Sequence, residues 1–311
     1  VTDLSIIIVN WNVADLLAAC LDSISNTRAD LSLEVIVVDS ASGDNSVAVV
    51  REHYPWVKLL AQSQNVGFTR GNNIGLAAAE GRHLLLLNPD TEVVAGMLHQ
   101  MVTYLDVNPD VGIVGPHTLN TDGSTQSSRR RFPTVGTAFF ESTWLQPLAP
   151  VGMMQRYYVT EAGDGDTLNV DWIQGHALMA RREVYEQVGQ LDPGYVMYFE
   201  ELDWCKRAKA AGWRVVYLGA AQVVHHGGKS TDQASARKHI YFNQSKIRYL
   251  RKHHGAGVAG LLRVFLLTMF GWQLAVESVK WGLRHKPSMR RERVNVYWQV
   301  MRHGLRPAGS E

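Results

Sequence analysis

Within its first ninety residues the chain switches repeatedly between two incompatible hydrophobic rhythms, and that alternation restricts it to few folds. Leu4-Ser5-Ile6-Ile7-Ile8-Val9 is an apolar, β-branched run of the kind that forms a strand buried on both faces. Leu16, Leu17, Cys20, Leu21 and Ile24 then recur at helical spacing. Glu34 to Val38 reads as a second strand ending in Asp39, and Ser42 to Ser46 offers turn and capping residues before a helix that carries Val47 and Val50. Val57 to Leu60 is a short third strand, Gly71 to Glu80 a helix closed by Gly81, and Leu84 to Leu87 a fourth strand. Strand and helix alternating through short connections predict an α/β fold: a Rossmann-like, mostly parallel sheet flanked by helices.

Beyond this core, 96–106 reads as helix and 111–115 as strand, while 117–170 is weakly patterned and predicts loops and short strands. Val170 to Ala180 reads as one strand, followed by a helix at Arg182 to Val188, another from near Glu200, and a strand at Arg214 to Leu218. The last seventy residues predict a C-terminal helical extension. There Val258, Leu261, Leu262, Phe265, Leu266, Met269, Trp272, Val276 and Val279 fall on one broad helical face flanked by Arg263, Lys280 and Arg284. Such a face packs on its own domain or on a second subunit, making a homo-oligomer, or else lies on a membrane surface. The longest charge-free apolar stretch there, Val264 to Val276, is too short to span a bilayer of roughly 30 Å.

A formal charge of +2 gives no reason to expect a nucleic-acid partner. Cys20 and Cys205 are far apart and lack metal-ligand spacing, which suits a reducing compartment. The opening VTDLSIIIVNWN has no basic region or small-residue cleavage site and is expected to be the first strand rather than a signal peptide. The expected location is cytoplasmic, with peripheral contact on the inner face of the cell membrane.

In an open parallel sheet, ligands bind beyond the carboxyl ends of the strands. The residues there are Asn10, Trp11 and Asn12 after the first strand, Asp39 after the second, and Asn88-Pro89-Asp90 after the fourth. The last set is abrupt: four leucines run straight into a proline that cannot donate to a sheet. No G-x-G-x-x-G follows the first strand and no G-x-x-x-x-G-K-[ST] occurs, so neither standard phosphate cradle is present. A phosphate site without such a cradle calls for a cation, and Mg²⁺ or Mn²⁺ prefers a carboxylate together with phosphate oxygens. Asp90 is the carboxylate best placed to hold it.

Six segments in order carry a resemblance: SIIIVNWN, VIVVDSASGDNS, NVGFTRGNNIGL, LLLLNPDTEV, the run from WIQGHALMARREVYEQVGQLDPGYVMYFEELDWCKR to WRVVYL, and VVHHGGKS. Together, over about residues 3–250, they resemble inverting glycosyltransferase family 2, with its GT-A fold, and in particular its rhamnosyltransferase-like branch. The resemblance implies a GT-A catalytic domain over 1–235, divided near 115 into nucleotide-binding and acceptor-binding halves, and a helical region over 236–311. It also implies a nucleoside-diphosphate sugar donor, with dTDP-rhamnose first and a UDP-sugar second, and a glycan or lipid-linked glycan acceptor.

Residue by residue, the resemblance gives Asp39 the nucleobase, with Asn10 and Asn12 near base and ribose; Asn12 is alternatively a helix cap, and Asp44 reads as a cap. Asn65, Gly67, Arg70 and Asn72 would wrap the nucleotide. Asn88-Pro89-Asp90 occupies the Asp-x-Asp position with Asn first, which leaves the metal to Asp90 and to one of His225 and His226, with Lys229 near the diphosphate. The general base would lie in YFEELDWCKR, where Glu201 stands in place of the family's aspartate and Glu200 and Asp203 are its alternatives; Asp203 also reads as the i+4 partner of Arg207. Trp172, Gln174 and Gly175 would line the acceptor and sugar pocket. Two rivals stand beside this reading, a sugar nucleotidyltransferase and a non-catalytic sugar-nucleotide-binding relative.

Overall fold

Leu4–Asn10 is buried at every position, as a strand covered on both faces must be. The computed structural model describes residues 2–27, 31–227 and 235–306. In chain order the elements are β1 (Leu4–Asn10), α1 (Ala14–Thr27), β2 (Leu33–Asp39), α2 (Ser46–His53), β3 (Val57–Ala61), α3 (Phe68–Ala78), β4 (His83–Leu87) and β5 (Thr91–Val93). Then come α4 (Met97–Val107), β6 (Val111–Leu119), β7 (Thr125–Gln126), β8 (Arg129–Arg130), α5 (Val135–Phe140), α6 (Met153–Tyr158) and β9 (Thr167–Val170). β10 (Trp172–Ile173), β11 (Ala177–Arg181), α7 (Arg182–Val188), α8 (Glu200–Ala210) and β12 (Arg214–His225) precede the final helices α9 (Ser235–His254), α10 (Ala256–Gly282) and α11 (Pro287–His303). The chain divides into two compact units, 1–132 with 150–193 and 200–230, and 133–149 with 194–199 and 231–311.

The first unit is built on a mixed sheet in the order β3-β2-β1-β4-β11-β6-β12-β5. β1 to β4 run parallel, whereas β11 runs antiparallel to both β4 and β6. Alternation along β1 assigns its faces. Ile6 and Ile8 join a core with Leu17, Leu21 and Ile24 of α1 and Met97, Met101 and Leu105 of α4. Ile7 and Val9 meet α3, which comes close because glycines face them. A Cβ on Gly75 would stand 2.3 Å from Ile7 Cγ2, and one on Gly71 would stand 2.7 Å from Val9 Cγ1.

Two expectations are corrected. The apolar run from Val170 to Ala180 is not one strand: β10 pairs with β8 in a separate two-stranded ribbon, while β11 lies inside the main sheet. Gln174-Gly175-His176 crosses between them. β12 does not stop at Leu218. A register shift between Leu218 and Gln222 lets it resume along β6 and carry His225 to a position opposite Thr91. Gly219 sits at that irregularity, where a Cβ would meet the backbone of Gly165 at 2.4 Å.

In the second unit α10 packs against α9 and α11. Its inner face buries Ala259, Leu262, Leu266, Met269 and Phe270. Glu277 accepts two hydrogen bonds from Arg290 Nη1, at 2.7 and 2.5 Å, and Arg263 Nε donates to Gly304 O at 2.8 Å. The single apolar face expected of this segment is in fact two, because Leu261, Val264, Trp272 and Val279 are exposed. α10 is also one unbroken helix of 27 residues, long and apolar enough by length and composition to cross a membrane, which the charge-free stretch alone had not suggested.

Candidate active site

The carboxyl ends of β1, β2 and β4 meet along one edge, with Asn10 directly opposite Asp39. Asp39 is almost fully buried. Its Oδ1 accepts from Asn10 Nδ2 at 2.9 Å and from Ser42 Oγ at 2.6 Å, and its Oδ2 accepts from Ser42 N at 2.9 Å. Oδ2, which accepts one bond, keeps acceptor capacity. Asn12, at φ 54°, accepts from Gly43 N at 2.7 Å through its side chain and so braces the loop after β2. Asp44 caps the start of α1, its Oδ2 accepting from Ala14 N at 3.0 Å while its Oδ1 holds Ser46. Capping a helix N-terminus suits a carboxylate, and burial, which raises the Asp44 carboxyl, is outweighed by these hydrogen bonds, which hold it below its ordinary range.

Asn65 Oδ1 accepts from Ser40 Oγ at 3.0 Å and from Gly67 N at 2.9 Å, folding the turn before α3 toward the end of β2. Arg70 is exposed on α3, and Asn72 is turned inward, donating to Phe68 O. Its neighbour Asn73 exchanges two hydrogen bonds with the backbone of Leu191, a cross-link between residues 118 positions apart.

After β4 the chain turns sharply through Asn88-Pro89-Asp90. Asn88 N donates to His176 O at 2.9 Å, and Thr91 Oγ1 closes the turn by donating to Asn88 O at 2.7 Å. Asp90 Oδ1 lies 3.3 Å from His225 Nε2, both side chains being nearly buried. Burial pushes the Asp90 carboxyl up, but the His225 imidazole, when protonated, and the backbone amide of Asp90 outweigh it and hold the group below its usual range. His226 turns away: its Nε2 is 2.6 Å from Glu92 Oε1, while its backbone N–H donates to Asp90 O. His225 is therefore the histidine whose ring faces Asp90. Lys229 lies outside the described residues.

The tautomer of His225 follows from its other nitrogen. Nδ1 lies 2.6 Å from Gln126 Oε1, an atom that can only accept, so Nδ1 carries the proton. The amide cannot be reversed without loss, because Gln126 Nε2 donates to Asn120 Oδ1 at 3.0 Å. His176 stacks on the His225 ring, 4.6 Å between centroids and 11° from parallel. Burial first, and the charge of His225 second, hold the His176 imidazole well below its ordinary range, so it stacks as a neutral ring.

A divalent cation fits this constellation. With the proton on Nδ1, the lone pair of His225 Nε2 points at Asp90 Oδ1, and Nε2 is buried without a hydrogen-bond partner. Two lone pairs in that relation require a proton or a metal between them. Adjacent corners of an octahedron with metal–ligand distances of roughly 2.1 Å stand about 3 Å apart, close to the separation found. Asn88 Oδ1, on the same turn, is likewise buried without a partner. Among the described residues no cluster of three or more His, Cys, Asp or Glu forms a closed metal cage. A two-residue protein site completed by substrate phosphates is the habit of Mg²⁺ and similar ions.

The three acidic candidates at the start of α8 separate clearly. Asp203 is fully buried and accepts from Arg207 Nε at 2.9 Å, the i+4 pairing read from the sequence; Arg207 also donates to Gln190 O at 2.8 Å. Glu200 is buried, and burial first, with the Glu201 charge after it, holds its carboxyl well above the usual range. Glu201 is half-buried and its Oε1 lies 3.4 Å from Gly175 N. A Cβ on Gly175 would stand 3.4 Å from Glu201 Cβ, at ordinary contact distance, so the two residues lie side by side. Gln174 N is tied to Ser128 O, and Trp172 is buried, with Nε1 donating to Arg131 O at 2.9 Å. The segment Gly175-His176 thus joins Glu201 on one side to Asn88, Asp90 and His225 on the other. His176 and Gln126 were missed in the sequence; the only local sign of the first was a Gly-His pair inside an apolar run.

Both the sheet and this edge belong to a sugar-transferring class. Residues 5–189, more than half of the chain, match the family described as glycosyl transferase family 2. The chain belongs to that family, whose members move a sugar from a nucleoside-diphosphate sugar to an acceptor. Among its relatives is an N-acetylglucosaminyl-diphospho-decaprenol L-rhamnosyltransferase of Mycobacterium tuberculosis, 28% identical over 272 residues, which cover 84% of this chain and 86% of that protein. The rhamnosyltransferase WbbL of Escherichia coli is 26% identical over 260 residues, covering 79% and 92% respectively. The fold is shared with the mannosyltransferase PcManGT from Pyrobaculum calidifontis, solved with GDP-Man and Mn²⁺, at a TM-score of 0.57 and 17% identity over 97% of this chain and 84% of that one. GalNAc-T7, solved with UDP, GalNAc and Mn²⁺, gives a TM-score of 0.56 at 16% identity over 72% of this chain and 43% of that one.

Proposed function

We propose that the protein is an inverting rhamnosyltransferase that uses dTDP-rhamnose and a lipid-linked, diphosphate-bearing sugar acceptor. One observation carries the mechanism: Gly175-His176 ties the Glu201 carboxylate to the Asp90–His225 pair along a single sheet edge. The names of the two near-full-length relatives favour rhamnose, and the Mycobacterium tuberculosis relative favours the lipid-diphosphate acceptor.

In this reading Asp39 receives the pyrimidine base, with Asn10 and the Asn65–Gly67 turn beside it. Asp90 and His225 would hold a divalent cation. When bound, that cation supplies positive charge to the departing diphosphate. Glu201 takes the proton of the acceptor hydroxyl as its oxygen bonds to the anomeric carbon; the bond from that carbon to the diphosphate oxygen breaks, and the nucleoside diphosphate leaves with the electron pair. One displacement inverts the anomeric configuration. Burial first, and then the Glu201 charge, favour the neutral form of Glu200, which limits the negative charge in the pocket.

The test is nucleoside-diphosphate release from dTDP-, UDP- and GDP-sugars, with Mg²⁺ or Mn²⁺ and with EDTA. Metal-dependent release from dTDP-rhamnose, abolished in Asp90→Ala, is the expected result. Release from a different donor alone would overturn the sugar assignment, and release unaffected by EDTA would overturn the metal.

A further inference from the structure

The outward face of α10 carries no charge along six positions. Leu261, Val264, Thr268, Trp272, Ala275 and Val279 recur at intervals of three and four residues and are all exposed, Leu261 at 64% and Trp272 at 67%. At a rise of 1.5 Å per residue the strip is about 27 Å long. Two charged side chains of the helix are engaged elsewhere: Arg263 on Gly304 O and Glu277 on Arg290. A surface helix ordinarily turns charges to water, and an apolar strip of this length marks an interaction surface.

Charge identifies what the strip meets. Residues 237–306 hold fifteen Lys and Arg against two Asp and Glu, whereas the rest of the chain holds sixteen against twenty-seven. Exposed cations bracket the strip, Arg251 and Lys252 before it and Lys280, Arg284 and Lys286 after it. We propose that α10 docks in the plane of an anionic lipid bilayer, with the strip entering the boundary between headgroups and acyl chains and the bracketing cations on the phosphates. Exposed Trp272, Trp281 and Trp298 are the residue type that such a boundary favours. Self-association through the strip is opposed by the like-charged clusters it would bring together. A spanning arrangement is opposed by the packing of α9 and α11 on the other face of α10 and by the Glu277–Arg290 pair there. This inference does not rest on the transferase reading.

The experiment is co-sedimentation of the full chain with vesicles of phosphatidylcholine alone or mixed with phosphatidylglycerol, at low and high salt and without sugar nucleotide. Binding to the anionic vesicles at least about tenfold stronger than to the neutral ones, and weakened by salt, is expected. The double variant Val264→Glu/Trp272→Glu changes only exposed positions; with an unchanged thermal melt it is expected to lose at least about tenfold of that binding. Equal binding to both vesicle types, equal binding of variant and parent, or a lipid-independent dimer dispersed by the same variant would each overturn the proposal.

Discussion

Gln126 Oε1 accepts the Nδ1 proton of His225 at 2.6 Å, and Gln126 is itself held by Asn120. A residue ninety-nine positions away in sequence thereby decides which nitrogen of His225 bears a lone pair toward Asp90. Groups that orient a metal-binding histidine in this way are typically worth about 10- to 100-fold in metal affinity. Gln126→Leu should weaken Mn²⁺ binding by about that factor, measured by titration calorimetry in the presence of dTDP. The ¹⁵N shifts of His225 should report a mixed tautomer in the same variant. Unchanged affinity together with unchanged shifts would show that Gln126 does not set the ring.

Glu201 and Asp203 lie two residues apart on α8 and face different surroundings, so their neutral variants should fail differently. Glu201→Gln is expected to lower kcat by about 10² to 10⁴ while leaving dTDP-sugar binding intact. Asp203→Asn removes the charged partner of Arg207 in a fully buried place and should cost about 1.5–3 kcal/mol of stability in urea unfolding. Its kcat should stay near that of the parent wherever the variant is folded. A catalytic loss in Asp203→Asn matching that of Glu201→Gln would reverse the assignment.

Glu200 provides a pH signature. Its carboxyl is raised in the folded state, by burial first and by the charge of Glu201 second. The folded protein therefore keeps a proton that the unfolded chain has already released. The stability this group supports is whole below the ordinary carboxylate range and is lost as pH rises through that range toward the folded-state value. Glu200→Gln holds the neutral form at every pH. Thermal melts should show the variant gaining on the parent as pH is raised from 5 to 8, and a gap that is flat or shrinks across that range would contradict the linkage.

What the sequence disclosed depended on how local the signal was. The strands and helices of the first ninety residues announce themselves by period; Asn10, Asp39 and Asn88 directly follow apolar runs, and Asp90 lies in the turn after the last of them. The run from Val170 to Ala180 misled because period says nothing about partners. Ile173 pairs with Arg129 and fills the space over Gly115, where a Cβ would stand 2.2 Å from Ile173 Cγ2, whereas Met179 pairs with Val114 in the main sheet. Gln126 and His176 were invisible for a related reason: each matters through a side chain distant in sequence. The second face of α10 was hidden because apolar residues ring the helix, and only packing tells the covered side from the bare one.

The approach of α3 to β1 is a close contact near the candidate site, and it can be tested without substrate. Gly75 faces Ile7, and an added methyl would stand 2.3 Å from Ile7 Cγ2, far inside contact distance. Alanine in a helix interior is worth about 1 kcal/mol over glycine, which favours Gly75→Ala if the space allows it. Overpacking a tight core typically costs about 1–3 kcal/mol, and at 2.3 Å the helix must move away, so a net loss of stability is expected in urea unfolding. Ile7→Val keeps Cγ2 and should give no relief, whereas Ile7→Ala in the Gly75→Ala background should recover part of the loss. Because α3 starts at the Asn65–Gly67 turn tied to Ser40, the same displacement should weaken dTDP binding in Gly75→Ala. A variant as stable as the parent, with unchanged dTDP affinity, would mean that the sheet accommodates the methyl and that this contact does not set the position of the turn.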